Sequence, residues 1–510
     1  MKNKTQKKGR RILLSILTVF SLFLGTIAFS AGIWFCKVFG DVGFDSVLFT
    51  LTNSLRGSNM DTILQFMLEA LLPAILITAA LSVVLLTHWK KPLVISFRKK
   101  ALTLLPMRRT VAALMAGILS FSLIVTTIEM TGCGKYLSDQ MKASTIYEEK
   151  YVDPNDVDIK FPEKKRNLVY IVLESMENTF MSQEAGGGIS NDLMPELVTL
   201  SKENVSFSHT DGLGGFYNTA GTTWSVGSLV SVTAGIHFQL PFGTGRNSYT
   251  DDYDRFLPGA TTLMDILHEQ GYFQQYLLGC DADFGGLRQF FSQHNTDEVI
   301  DYYTALEKGW IPKDYFKWWG FEDKKLMEFA KEQLTRLSES GQPFALYIST
   351  MDTHCTGGYY CEDCGNEFNE QYDNVISCFS KRIAAFMEWM QEQPFMEDTT
   401  VVLVGDHLTM DNPYIMRNVA KDYLRTAYNC FVNSSVEPVS TKNRLYASFD
   451  LFPTILASMG CEIPGNRLGL GTNLFSEEKT LMEEYGSFVA LNSQLTRYSD
   501  YFAKYIAQYF

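Results

Sequence analysis

Three long stretches without a charged residue occupy the first quarter of the chain and limit what it can fold into. They run over residues 12–36, 70–87 and 110–128, and each is long enough to cross a bilayer as a helix. A cleaved signal peptide is an alternative for the first stretch, because Ala28-Phe29-Ser30 resembles a cleavage site. Since two further stretches follow, we predict a cytoplasmic tail at 1–11 and a three-helix membrane domain at 12–131.

Basic residues flank these stretches unevenly. Six Lys or Arg residues precede the first stretch and seven lie in the loop before the third, whereas the loop between the first two contains only Lys37 and Arg56. Loops rich in Lys and Arg stay in the cytoplasm. We therefore expect a multi-pass cell-membrane protein whose chain after the third helix is extracytoplasmic.

The charge of the chain excludes one class of partner. The whole chain has a formal net charge of −13, although its first 131 residues hold more basic than acidic side chains. The remainder is therefore strongly acidic, and we expect no nucleic-acid binding, because nucleic-acid-binding domains present basic surfaces to the phosphates.

Residues 132–166 are polar, contain Pro154 and Pro162, and predict a partly helical linker. From residue 167 onward, short apolar runs typical of buried strands alternate with amphipathic runs typical of helices. The strand-like runs are Leu168–Leu173, Tyr276–Leu278, Phe344–Ser349 and Val401–Val404, and the helix-like runs include Lys324–Leu337 and Ser380–Gln391. This alternation predicts an α/β domain with a central, largely parallel sheet over 167–510.

Metal-ligating side chains follow the first and last of these strand-like runs. Glu174 follows the first, and Asp406 and His407 follow the last. Ligands bind at the carboxyl ends of strands in α/β proteins, and carboxylates with an imidazole suit Zn or Mn. The alternatives are that Glu174 caps a helix and that Asp406 and His407 cap a loop.

Three more polar side chains follow the two remaining strand-like runs. Asp281 and Arg288 come after the second run, and His354 comes after the third. Arg and His are suitable partners for a phosphate oxygen or a leaving group, although each residue alone is typical of a surface loop.

The segment 221–228 contains a glycine turn followed by hydroxyl residues at a predicted helix start. A helix start concentrates N–H groups that attract phosphate and favour an alkoxide. The alternative is that Thr222 or Thr223 is an ordinary helix N-cap.

Four of the nine cysteines crowd one region of the chain, at Cys355, Cys361, Cys364 and Cys378. An oxidising exterior permits disulfides, and the short segment between Cys364 and Cys378 leads us to predict a disulfide there. A structural zinc site built from all four cysteines is the alternative.

Taken together, these motifs resemble the lipoteichoic acid synthase and phosphoglycerol transferase branch of the alkaline phosphatase/sulfatase superfamily. The similar segments are NLVYIVLESM at 167–176, GTTWSVGSLVSVTAG at 221–235, DTH at 352–354, VGDHLTM at 404–410 and the NRLGLGTNLF run within 451–475. The resemblance implies one divalent cation, expected to be Mn with Mg or Zn possible, held by Glu174, Asp406, His407 and a nucleophilic threonine. It also implies that Asp281, Arg288 and His354 line a glycerol-phosphate pocket.

Two threonines compete for the role of nucleophile. Relatives place a small hydroxyl residue three positions after the reactive threonine, and Ser225 has that position relative to Thr222, whereas Val226 has it relative to Thr223. We therefore predict Thr222. The Cys/Ser-x-Pro-x-Arg pattern of sulfate-ester hydrolases does not occur in this segment, which argues against sulfate chemistry.

The resemblance implies transfer of glycerol phosphate from phosphatidylglycerol, through a phosphothreonine, to a glycan or teichoic-acid-type acceptor such as polyglycerol phosphate. Alternatives within the superfamily are a phosphoethanolamine transferase and a phosphodiesterase, and an inactive metal-binding envelope scaffold is a third. One departure is that Gly286 replaces a pocket tryptophan of the synthases, which predicts a wider headgroup pocket.

Overall fold

The computed structural model describes residues 2–40, 43–52, 60–87, 93–97, 100–104, 109–240 and 256–508. Backbone contacts divide the chain into two units. The helical unit comprises Met1–Asp41 and Ser58–Leu137, and the sheet unit comprises Val42–Gly57 and Ser138–Phe510. Residues 42–57, which lie between the first two apolar stretches, therefore belong to the sheet unit.

The secondary-structure elements of the described residues are numbered in chain order. The α-helices are α1 (Lys2–Phe39), α2 (Phe44–Thr52), α3 (Met60–Phe66), α4 (Leu72–Thr87), α5 (Arg109–Met130), α6 (Cys133–Gln140), α7 (Ile146–Lys150), α8 (Pro195–Glu203), α9 (Ser225–Ala234), α10 (Leu263–Glu269), α11 (Leu287–Gln293), α12 (Tyr302–Glu307), α13 (Asp323–Glu339), α14 (Gln371–Gln391), α15 (Asn412–Asn418), α16 (Leu451–Ser458), α17 (Leu481–Tyr485) and α18 (Phe488–Leu495). The strands are β1 (Leu93–Phe97), β2 (Lys100–Leu104), β3 (Asn167–Leu173), β4 (Phe273–Leu278), β5 (Glu298–Ile300), β6 (Phe344–Ser349), β7 (Thr399–Gly405), β8 (Asn429–Val432), β9 (Arg467–Leu468) and β10 (Gly471–Thr472).

Three helices of the helical unit are long and apolar enough to cross a membrane. They cover Lys8–Phe39, Ile63–Leu86 and Arg109–Met130, and they overlap the three predicted stretches. The first is longer than predicted because its basic start is also helical. Small polar side chains join these helices: the hydroxyls of Thr26 and Thr78 are 2.7 Å apart, as is typical of helix packing in lipid.

A six-stranded sheet organises the sheet unit, with strand order β5-β4-β6-β3-β7-β8. β3 pairs in parallel with both β6 and β7, and β4 pairs in parallel with β5 and β6. β8 alone in this sheet runs antiparallel, against β7. The largely parallel α/β fold predicted from the sequence is confirmed, and the carboxyl ends of β3, β4, β6 and β7 meet at one edge.

Both faces of this sheet are buried, which explains why its strands read as continuous apolar runs. Alternate residues of β3 enter two different cores. Leu168, Tyr170 and Val172 join the core that contains α9, α10 and α16, whereas Val169, Ile171 and Leu173 join the core that contains α8, α13 and α14.

The segment predicted as a linker, 132–166, is packed against the sheet unit over most of its length. Val152 pairs with Gly469, and Lys160 pairs with Glu462, in isolated bridges. From Ser138 onward the chain is grouped with the sheet unit. The compact body therefore begins before residue 167, because these polar residues have backbone partners far along the chain.

Candidate active site

Glu174 and Asp406 lie side by side because β3 and β7 are neighbours in register. Leu173 pairs with Gly405 at the ends of these strands, so the next residue of each strand emerges at the same place. His407 follows directly, and its Nε2 is 3.6 Å from Glu174 Oε1 and 3.4 Å from Asp406 Oδ2. All three side chains are buried. The structure thus brings the three predicted metal ligands together.

Hydrogen bonds orient two of these groups toward a common point. Asp406 Oδ1 accepts from the N–H groups of Ser175 and His407, both at 2.8 Å, whereas Asp406 Oδ2 is buried without a hydrogen-bond partner. His407 Nδ1 lies 2.9 Å from the carbonyl of Leu408. Because a carbonyl accepts only, Nδ1 carries the proton and the Nε2 lone pair faces the carboxylates.

The electrostatics of this cluster favour a cation. Burial, reinforced by the charge of Glu174, raises the pKa of Asp406 to about 7. Burial alone lowers the pKa of His407, but the charges of Asp406 and Glu174 outweigh it and raise that pKa. The ligand atoms of all three residues lie within 4.8 Å of one another. The unpartnered Oδ2, the imidazole lone pair and the second carboxylate therefore form a donor set that fits one divalent cation.

The structure places the hydroxyls of the predicted nucleophile, Thr222, and of Ser225 differently relative to the ligand cluster. The Thr222 hydroxyl is fully buried and donates to the carbonyl of Thr219 at 3.0 Å, so it does not face the ligand cluster. Ser225 does: its Oγ donates to Glu174 Oε2 at 3.2 Å and is 3.2 Å from His407 Nε2. Thr223 Oγ1 is buried without a hydrogen-bond partner.

The spacing rule applied to Thr222 also fits Ser225, since Ser228 lies three residues after it. What separates the two candidates is the start of α9 at Ser225, with Trp224 in extended conformation as its N-cap. The first N–H groups of a helix have no partner within it and attract anions. The hydroxyl at this helix start is therefore the one that meets the ligands.

Two side chains hold the Asp406 loop against the start of α9. Ser228 Oγ donates to the carbonyl of Asp406 at 2.6 Å, and Asn218 Nδ2 donates to the same carbonyl at 2.9 Å. Asn218 also donates to the carbonyl of Thr222 at 3.0 Å. These bonds fix the distance between Ser225 and the ligand cluster, and no motif in the sequence indicates the role of Asn218.

A pocket opens beside the cluster, between the ends of β4 and β6. Its polar lining includes Glu174, Ser225, Asp281, His354 and Asp406, and its apolar lining includes Leu229, Tyr276, Leu278, Phe284, Leu287 and Trp319. His354 Nδ1 bonds the carbonyl of Cys355 at 2.7 Å, so Nε2 carries the lone pair. Burial lowers the pKa of His354 to about 4, and the ring is neutral at pH 7.

Trp319 is a pocket residue that the sequence analysis missed. Its ring meets His354 edge to face with centroids 5.0 Å apart, and its Nε1 is buried without a hydrogen-bond partner. An aromatic side chain therefore lines the pocket even though Gly286 replaces the tryptophan of the synthases. Trp319 comes from an irregular loop before α13, where sequence periodicity gives no indication of its position.

Arg288 has a different environment from the one predicted. Its guanidinium pairs with Asp283 at 2.8 Å and with the buried Asp301, and it is not among the described residues that line the pocket. Its guanidinium is instead paired with these two carboxylates. Asp281 and His354 do line the pocket.

The cysteine region differs from both predictions. The predicted Cys364–Cys378 disulfide is not formed in the part of the chain that the structure describes. Cys361 Sγ lies 3.4 Å from Cys364 Sγ and 3.8 Å from Cys378 Sγ. Cys355 is not part of this cluster. It directly follows His354 in the loop after β6.

Comparisons with known proteins show which family the chain is similar to. A family model described as sulfatase matches residues 166–461. Phosphoglycerol transferase I of Escherichia coli O127:H6 is 29% identical over 413 residues, which are 78% of this chain and 48% of that protein. Phosphoglycerol transferase I of Xanthomonas euvesicatoria pv. vesicatoria is 30% identical over 322 residues, which are 62% of this chain and 43% of that protein. The chain spans about half the length of these curated relatives.

The solved structures that match part of this chain include a lipoteichoic acid synthase, LtaP, from Listeria monocytogenes. It has a TM-score of 0.49 at 15% identity, over 65% of this chain and 80% of that one. A protein of the alkaline phosphatase superfamily from Vibrio parahaemolyticus has a TM-score of 0.47 at 22% identity, over 61% of this chain and 71% of that one.

Proposed function

Because the chain belongs to the sulfatase family, whose model matches residues 166–461, we propose that it is a metal-dependent transferase of that superfamily, anchored in the membrane. Its reaction moves glycerol phosphate from phosphatidylglycerol to a glycan or teichoic-acid-type acceptor outside the cytoplasm. The curated relatives named phosphoglycerol transferase I support this choice of group.

One observation carries the proposal. Ser225 Oγ lies 3.2 Å from both Glu174 Oε2 and His407 Nε2, at the start of α9 and in the lining of the pocket. A hydroxyl among metal ligands, with helix N–H groups beside it, is the arrangement of an activated oxygen nucleophile. A sulfate-ester hydrolase is disfavoured, because Ser225-Val226-Gly227 does not continue into the Cys/Ser-x-Pro-x-Arg pattern.

The residues Glu174, Asp406 and His407 would hold the metal, and Ser225 would be the fourth ligand in place of Thr222. When bound, a divalent cation there lowers the pKa of the serine hydroxyl and offsets the charge of the phosphate. Manganese is our choice of cation, and Mg and Zn are the alternatives.

In the first step, Ser225 Oγ attacks the phosphorus of the lipid headgroup. The Oγ–P bond forms, and the bond from phosphorus to the diacylglycerol oxygen breaks. Ser225 loses its hydroxyl proton, and the departing diacylglycerol oxygen gains one. The product is diacylglycerol and a glycerophosphoryl group on Ser225.

In the second step, an acceptor hydroxyl attacks the same phosphorus, the P–Oγ bond breaks, and Ser225 Oγ takes up a proton to replace the one that the acceptor loses. His354 is suited to take the proton of the acceptor, because its ring is neutral and Nε2 is the free acceptor. Asp281 lies in the same pocket and is suited to accept hydrogen bonds from the hydroxyls of the glycerol group.

A test of the donor uses the full-length protein in vesicles that contain phosphatidylglycerol and phosphatidylethanolamine together, with Mn²⁺ present. The proposal expects diacylglycerol to form at the expense of phosphatidylglycerol. Loss of phosphatidylethanolamine instead indicates a phosphoethanolamine transferase, and free glycerol phosphate without a modified acceptor indicates a phosphodiesterase. No turnover of either lipid, with the metal bound, indicates an inactive scaffold.

A further inference from the structure

A second group of metal-ligating side chains lies outside the candidate active site. Cys361 and Cys364 belong to the loop that follows His354, and Cys378 belongs to α14. The three side chains are at most 9% exposed, and their sulfur atoms all lie within 4.8 Å of one another. Nothing in the proposed transfer reaction uses these thiols.

The distances within this group match a shared metal better than a disulfide. Zinc–thiolate bonds of about 2.3 Å in a tetrahedron place neighbouring sulfur atoms at about 3.8 Å. Cys361 Sγ is 3.4 Å from Cys364 Sγ and 3.8 Å from Cys378 Sγ. A disulfide joins two sulfur atoms only and would leave the third thiol buried, whereas a metal uses all three.

The local chain also supports a metal site. Cys361 and Cys364 have the two-residue separation of a zinc knuckle, and the N–H of Cys364 donates to the carbonyl of Cys361 at 3.1 Å, which closes a tight turn. Cys378 approaches from a rigid helix. The ligands thus come from one turn and one helix.

The guanidinium of Arg382 lies beside these sulfur atoms and can stabilise their thiolate form. Arg382 is one turn after Cys378 on α14, and its Nη2 is 3.1 Å from Cys361 Sγ and 3.7 Å from Cys378 Sγ. Its Nη1 donates to the buried carboxylate of Asp352 at 2.8 Å. Donation from a guanidinium favours the charged form of a sulfur ligand.

One side of the cluster is open to a surface cleft lined by Asp363, Cys378, Lys381 and Arg382. Asp363 lies between the two knuckle cysteines, and its Oδ2 is 3.7 Å from Arg382 Nη2. The cleft gives a metal ion a route in, and it leaves room for water as a fourth ligand.

We propose that Cys361, Cys364 and Cys378 bind a structural zinc ion that fastens the loop after His354 to α14. Through Arg382 and Asp352, the site is tied to the Asp352-Thr353-His354 turn that lines the candidate active-site pocket. This assignment does not depend on the transfer reaction and holds for any activity of the pocket.

The test uses the full-length protein with Asp406→Ala, which removes the other metal centre, purified in detergent with a reductant. Cobalt is added in place of zinc, because thiolate ligands give cobalt an intense near-ultraviolet charge-transfer band that oxygen and nitrogen ligands do not give. We expect this band at one cobalt per chain and its loss when zinc is added.

Cys364→Ser should abolish the band, whereas Cys461→Ser, which changes a buried cysteine outside the cluster, should leave it unchanged. If Cys364→Ser does not fold, the protein with all three cysteines intact is loaded with zinc instead. X-ray absorption at the zinc edge should then find sulfur neighbours at about 2.3 Å. Absence of the band in folded protein with free thiols would overturn the proposal. So would peptide mapping that finds two of the three cysteines disulfide-bonded in zinc-free protein isolated without reductant.

Discussion

The carboxylate of Asp45 accepts a hydrogen bond from the backbone N–H of Gly221, with 2.6 Å between oxygen and nitrogen. Asp45 is buried in α2, between the first and second apolar helices in the sequence. Gly221 opens the segment that leads to Ser225, and its φ of +75° is in the left-handed region. We therefore predict that the loop between these helices and the candidate active site are on the same side of the membrane.

This relationship sharpens a prediction about topology. A reporter that is active only outside the cytoplasm should be active when fused after Lys160 and inactive when fused at Ser96, because the Lys and Arg residues of the 88–109 loop keep that loop inside. Enzyme activity of the two fusions, normalised to their expression, is the measurement. The opposite pattern would place the candidate active site in the cytoplasm.

Trp319→Ala should weaken binding of the lipid headgroup. The substitution removes the aromatic wall beside His354 and a buried N–H donor, and aromatic contacts contribute about 0.5–1.5 kcal/mol beyond their area. We expect KM for phosphatidylglycerol to rise about three- to tenfold, with a smaller change in kcat.

Trp310→Ala is the matched control, because that indole packs on Phe329 with centroids 5.0 Å apart and does not line the pocket. Equal KM values for Trp319→Ala and the unaltered protein would remove Trp319 from the substrate pocket.

His354 should make the stability of the protein depend on pH. Burial lowers its pKa to about 4 in the folded protein, whereas an unfolded histidine titrates near 6.5. Between these values the unfolded chain binds a proton that the folded chain does not, so the free energy of unfolding decreases as the pH falls through this window.

Replacing His354 with Gln should remove up to about 3 kcal/mol of that decrease. Denaturant unfolding at pH 7 and at pH 4.5 measures the change in the free energy of unfolding. The control is His268→Gln, at an exposed position on α10. Identical pH dependence in His354→Gln and the unaltered protein would show that burial does not keep this ring neutral.

Removal of the metal should abolish turnover, and Mn²⁺ should restore it at least as well as Mg²⁺, because an imidazole ligand suits Mn better. Asp406→Ala removes the carboxylate whose Oδ2 has no other partner, so titration calorimetry should find no cation binding at this centre. Asp422→Ala, on an exposed loop, should bind as the unaltered protein does. Full activity of Asp406→Ala in chelator would refute the metal site.

The ligand cluster was predictable from the sequence because it depends on strand ends alone. Val401–Val404 reads as a buried strand, and a parallel neighbour ending at Leu173 places Glu174 beside Asp406. The nucleophile was not predictable in this way, because it depends on where α9 begins relative to the ligands, and Thr222 and Ser225 both satisfy the spacing rule.

Other parts of the site depend on contacts between distant segments. Trp319 enters the pocket from an irregular loop, and Asp45 reaches Gly221 from a different part of the chain, 176 residues away. Neither residue belongs to a periodic pattern, and no local rule indicates its partner. The packing of 138–166 on the sheet unit was missed for the same reason, since its partners, Glu462 and Gly469, are near the end of the chain.

The measurement that tests the account most directly is peptide mass spectrometry of full-length protein incubated with Mn²⁺ and phosphatidylglycerol while acceptor is withheld. We expect a glycerophosphoryl group on Ser225, present in Thr222→Ala and absent in Ser225→Ala. Ser225→Ala should still bind the metal through Glu174, Asp406 and His407, which separates loss of the nucleophile from loss of the site. An adduct on Thr222 or Thr223, or normal diacylglycerol formation by Ser225→Ala, would contradict the account.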